Sequence, residues 1–200
     1  MRNIRIRLMA EIGLAVALSV AINALFTTLL PISMPFGGSL SLNMLPIVLL
    51  ALLRGPLVGI ITGVLVGFSD LLFDPFVISI PQMLLDYPLA YGLVGLAGIF
   101  ALRPAKLQEQ AGQGEPTLVK MMSYAVLGAV VASAARLAAH ILSGVLFFGQ
   151  YAPDTQNVWL YSAIYNLSFM GPNMLLLAFL SATVFPLVWR SVAQSEQRAI

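Results

Sequence analysis

Cysteine is absent from this chain and histidine occurs once, at His140. Disulfides, thiolate nucleophiles and thiolate metal sites are therefore excluded, and His140 has no second ligand at helical spacing with which to hold a metal. Charge is almost as scarce. Ten Lys and Arg and eight Asp and Glu make up 9% of the 200 residues, where a soluble domain carries roughly a quarter. No basic tract interleaved with aromatics is present, which removes nucleic acid as a partner. No Walker loop or GxGxxG run occurs either, so the chain has no nucleotide-driven motor of its own. What fills the sequence is apolar: 60% hydrophobic residues and a mean hydropathy of +0.94 mark an all-α integral membrane protein.

The apolar stretches predict six transmembrane helices in one domain, 1–200, at about residues 8–30, 45–53, 56–73, 81–102, 118–148 and 159–189. The first has a basic start like a signal peptide, but its apolar run is too long and lacks a cleavage site, so it is read as a retained helix. Gly13, Ala17 and Ala21 recur every four residues on it, a spacing that admits either a partner helix or close packing within the chain. Glu11 is expected to be hydrated near that helix's end. Gly55, Gly59, Gly63 and Gly67 repeat the spacing on the third segment. The uncharged loop from Pro31 to Pro46 is a candidate lid. Pro172, after Gly171, is expected to kink the sixth segment. Nine of the ten basic residues fall on one side of this arrangement and Asp70, Asp74 and Asp154 on the other. The positive-inside rule then places both termini in the cytoplasm of a cell membrane.

One stripe stands out. Arg136, His140, Ser143, Gly144 and Phe147 share a face of the fifth segment, since residues three and four apart are stacked neighbours. His140 lies about 12 Å below Phe148 at ~1.5 Å per residue, in the outer half. Asp86 and Tyr87 sit about one turn inside the outer end of the fourth segment, and an intramembrane carboxylate is a functional candidate by default. Its alternatives are interfacial hydration or an ion pair with Arg136. Together with Phe147, Phe148, Trp159, Tyr161, Tyr165 and Asn166 these residues form an inventory suited to a small cationic heterocycle. The carboxylate attracts the charge, aromatic faces add cation–π attraction, and His, Tyr and Asn orient a polar edge. Catalysis fits less well. Ser143 and His140 are neighbours but have no oxyanion hole, and a membrane-embedded enzyme using His140 and Asp86 as acid and base stands as an alternative, as does a stand-alone secondary carrier.

The runs GGSLSLNMLPI, LLDYPLAYGLVGLAGIF and RLAAHILSGVLFFGQYAPD followed by WLYSAIYN resemble the thiamine-specific substrate-binding (S) subunits of energy-coupling factor transporters, in the same order and over nearly the whole chain. The resemblance implies a six-helix bundle in a prokaryotic cell membrane that captures thiamine outside and releases it inside, not an enzyme, with no cofactor of its own. It also implies partners: a transmembrane coupling subunit and two cytoplasmic ATPases that consume the ATP. Carried over, Asp86 faces the thiazolium and Tyr87 accompanies it. His140 belongs to the site, Gly144 gives the ligand room, and Phe148 stands where some members have Trp. Tyr161 and Asn166 touch the aminopyrimidine, while Gly13, Ala17 and Ala21 dock on the coupling subunit. Two positions depart from the pattern. Asp86 replaces a Glu of some members, and Asn43 stands where others place Glu, so affinity or ligand choice differs and an S subunit for another vitamin is the alternative.

Overall fold

The structure is a computed structural model that describes residues 2–29, 41–73, 75–102 and 114–198. Most of the anticipated lid (31–40), Asp74 and most of the polar connection (103–113) lie outside the described residues. The order is α1 (Arg2–Leu29), α2 (Leu45–Arg54), α3 (Pro56–Asp70), a composite α4 (Ile80–Phe100), α5 (Leu118–Phe147) and α6 (Val158–Arg198), with a 3-10 turn at Gly149–Tyr151. No strand occurs among the described residues. Among the described residues four stretches are fit, by length and composition, to cross a bilayer: Arg5–Phe26, Ile80–Phe100, Leu118–Phe147 and Val158–Glu196.

α2 and α3 are shorter, at 10 and 15 residues, and α2 is only about 15 Å long. Its sequence, LPIVLLALLR, is apolar on every side, and a helix of that kind belongs in the interior. Ile47, Val48, Ala51 and Leu52 are fully buried, joined in the core by Tyr91 and Val94 of α4, Met121, Ala125 and Ala129 of α5, and Phe185 and Trp189 of α6. The turn into α3 is a single residue, Gly55, at φ +92°, a conformation favoured by glycine, followed by Pro56 at the first helical position.

The glycine spacing of α3 finds its partner in α4. A Cβ on Gly63 would strike the Tyr91 carbonyl, one on Gly67 the backbone of Tyr87 and Pro88, and one on Gly95 the backbone of Gly59 and Ile60. The two backbones therefore lie against each other, and this close packing offsets the lack of side-chain burial. α4 is not one regular helix. Pro88 cannot donate to the carbonyl four residues earlier, so the chain widens into a π turn over Leu85–Leu89 and tightens to 3-10 geometry over Gly95–Phe100. Asp86 and Tyr87 lie on that π turn.

Several boundaries differ from the sequence reading. α3 ends at Asp70, with Leu71–Phe73 in a turn, and α6 continues past Trp189 to Arg198. α6 passes through Pro172 and Pro186 without ending. Glu11 is not simply hydrated. Its carboxylate accepts from Arg54 Nε and Nη2 (2.8 and 2.7 Å) and Arg7 Nε (3.0 Å), while Arg54 Nη1 reaches Glu196 at 3.1 Å. These hydrogen bonds hold the Arg54 guanidinium, just outside the spanning stretches, above its ordinary range. They clasp the ends of α1, α2 and α6. α1 presents Ala15, Ser19 and Asn23 to the bundle and leaves Gly13, Ala17 and Ala21 exposed.

Candidate functional site

The π turn of α4 brings Asp86 to α5. Asp86 Oδ1 lies 3.1 Å from His140 Nδ1, and Oδ2 accepts from Ser143 Oγ and Gln82 Nε2, both at 2.7 Å. Asp86 and His140 are 13% and 16% exposed, so this carboxylate is held in place with little water around it. On the far side of the imidazole, Arg136 Nε donates to His140 Nε2 at 3.3 Å. An arginine can only donate, so Nε2 carries no proton and the hydrogen-bond pattern assigns the neutral tautomer with the proton on Nδ1, directed at Asp86. The ion pair between Asp86 and Arg136 anticipated as one alternative is replaced by this relay through His140.

Arg136 also lies over the Tyr91 ring, 4.0 Å from its centroid, a cation–π contact. Tyr91 opens a second polar cluster. Its hydroxyl donates to Asp70 Oδ2 at 3.0 Å and accepts from Asn43 Nδ2. Asp70 Oδ1 accepts from Asn23 Nδ2 of α1 at 2.8 Å, and Asn173 Oδ1 of α6 accepts from the Ser41 backbone N–H at 3.0 Å. One continuous chain thus runs Asp86–His140–Arg136–Tyr91–Asp70. With His140 neutral, its two carboxylates and one guanidinium leave a formal charge of minus one.

The remaining candidates divide. Asn166, 5% exposed, donates to the His140 carbonyl at 3.3 Å and to the Ser162 carbonyl at 2.9 Å, which places it beside the cluster. Gly144 lies where a Cβ would collide with Ser162 Oγ, so its smallness serves the α5–α6 approach. Tyr87 hydroxyl accepts from the Phe76 backbone N–H at 2.9 Å, and the Phe76 ring lies 5.9 Å from Phe148. Those contacts fasten residues 76–78 beside Asp86, because Gln82 also donates to the Phe76 carbonyl and accepts from the Ile78 N–H. Tyr161 and Tyr165 stack on one another at 6.4 Å. Asn43 is buried in the Tyr91 cluster rather than against Asp86, and Trp159 is 56% exposed with no ring contact among the described residues.

Sequence reasoning left out Gln82, Asp70, Tyr91 and Asn23 as site residues. Gln82 carried a legible signal, since it lies four residues before Asp86 on the same face. Asp70 and Asn23 are polar residues at the ends of apolar helices, a pattern shared with ordinary interfacial residues, and only the packing of α1 on α3 separates the two cases.

The family model described as "Thiamine transporter protein (Thia_YuaJ)" matches residues 9–191. The chain is 35% identical over 155 residues to the thiamine transporter ThiT of Bacillus subtilis (strain 168), covering 77% of this chain and 78% of that protein. It is 36% identical over 131 residues to the ThiT of Lacticaseibacillus paracasei, covering 64% of this chain and 63% of that relative. A solved structure of ThiT from Listeria monocytogenes superimposes with a TM-score of 0.67 over 95% of this chain and 97% of that one, at 22% identity, and shares the fold.

Proposed function

The chain belongs to the thiamine transporter family whose model spans residues 9–191, and from that premise we propose that it is the membrane subunit that captures thiamine from outside the cell and hands it inward while docked on an ATP-driven coupling module. Its curated relatives are named as transporters, and transport rather than catalysis is the activity of this multi-pass bacterial membrane protein. The observation that carries the reading is the charge left over at Asp86. Thiamine bears one fixed positive charge on its thiazolium, and a cluster with two carboxylates and a single guanidinium is one cation short of neutrality. Such a charge, shielded from water, attracts a monocation strongly.

In this reading Asp86 faces the thiazolium, His140 and Ser143 hold the carboxylate, and Tyr87 fastens the adjoining backbone over it. Asn166, Tyr161, Tyr165, Phe148, Gly144, Asn43 and Trp159 are the other proposed contacts. The partners are a transmembrane coupling subunit and two cytoplasmic ATPases that supply the ATP step. Support comes from the exposed face of Gly13, Ala17 and Ala21, where a second helix could approach closely. Saturable thiamine binding by the purified protein, measured by equilibrium dialysis, tests the first part. A protein that takes up no thiamine over its analogues at any concentration removes the reading, and uptake in vesicles lacking coupling partners removes the docked mechanism.

A further inference from the structure

Among the described residues one buried acceptor is left without a partner in this region. Asn43 is 2% exposed, its Nδ2 donates to the Tyr91 hydroxyl, and its Oδ1 has no hydrogen-bond partner among the described residues. Buried amide oxygens are rarely left this way, and each such case calls for a reason. The direction of the adjoining bonds supplies one. Asp70 is a carboxylate and can only accept, so the single proton of the Tyr91 hydroxyl is committed to Asp70 Oδ2. The other Asp70 oxygen is occupied by Asn23 Nδ2. Tyr91 oxygen can then only accept from Asn43, which turns the amide so that its NH2 faces Tyr91 and its carbonyl oxygen faces away. The polarity of the whole chain is fixed by the charge at its end. Arg136 on the Tyr91 ring ties this chain to His140 and Asp86.

We infer that Asp70 is a specificity-determining positioning residue: through Tyr91 it locks the Asn43 amide as a hydrogen-bond acceptor, so that the site takes ligands bearing an N–H donor and rejects those presenting a carbonyl in its place. This rests on the thiamine-binding reading, in which the donor is the exocyclic amine of the aminopyrimidine. Asp70 itself need not touch the ligand. An acceptor facing an acceptor leaves two buried groups unpaired, which makes amino-against-oxo discrimination the quantity the relay controls.

The test compares thiamine with its 4-oxo counterpart, oxythiamine, on the full-length purified protein, the Asp70→Asn variant and the Tyr91→Phe variant. The wild type is expected to prefer thiamine by tenfold or more, on the order of 1.4 kcal/mol. In Asp70→Asn the terminal amide can donate to Tyr91, the chain can reverse, and the preference is expected to fall to about onefold or to invert. Tyr91→Phe cuts the relay without removing the ring and is expected to lower the preference in the same direction, which decides the matter should Asp70→Asn lose all binding. Variants that bind thiamine and keep the wild-type preference overturn the relay, and so does a wild type that binds both ligands equally. A wild type that binds neither overturns the thiamine reading itself, and the relay falls with it.

Discussion

Replacing Asp86 by Asn gives a direct measure of how much of ligand capture is electrostatic. The substitution keeps the side chain's shape and an acceptor for His140 Nδ1, but the new NH2 meets the donors of Ser143 and Gln82 that now sit 2.7 Å from Oδ2. For a cation about 5 Å from the carboxylate, an effective dielectric of ~20 gives ~3 kcal/mol of attraction. Asp86 is only 13% exposed, so solvent screening removes a minor part of that. A hundredfold weakening of thiamine is therefore expected, on the order of 2–3 kcal/mol. A neutral isostere with an uncharged ring in place of the thiazolium feels only the local hydrogen-bond mismatch and should weaken about tenfold or less, the scale of one misplaced hydrogen bond. Calorimetric titration of both ligands into wild type and variant supplies the comparison. Equal losses for the charged and the neutral ligand would refute the counter-ion role of Asp86, whatever their size.

Gly63→Ala should lower thermal stability in detergent by about 2 kcal/mol or more, because its Cβ meets the Tyr91 carbonyl, whereas Gly13→Ala, with nothing within 4 Å, should leave the melting curve unchanged. Gly13→Leu is expected to spare thiamine binding and abolish uptake in cells that hold the coupling module; retained uptake would move docking to another face. Arg54→Gln removes the guanidinium shared by Glu11 and Glu196 and should cost about 1–3 kcal/mol in the same melts, with little effect on ligand affinity, since the clasp lies at the other end of the bundle from Asp86.

The sequence by itself determined a helical membrane protein and the local faces of its helices. Composition forces the first, and a period of 3.6 residues forces the second: Arg136 and His140 are bonded on one face of α5, and the glycines of α3 lie along one seam. Periodicity says which residues share a face and is silent about what that face meets. Only the tertiary structure decided that the α3 glycines close on α4 while the similar spacing on α1 points outward, and that Asp86 meets His140 rather than Arg136. It alone decided that Asn23, Asn43, Asp70 and Tyr91, drawn from across α1 to α4, form one hydrogen-bonded chain. The physical reason is that a buried polar group must find its partner wherever packing brings one, and the distance along the sequence places no limit on where that is.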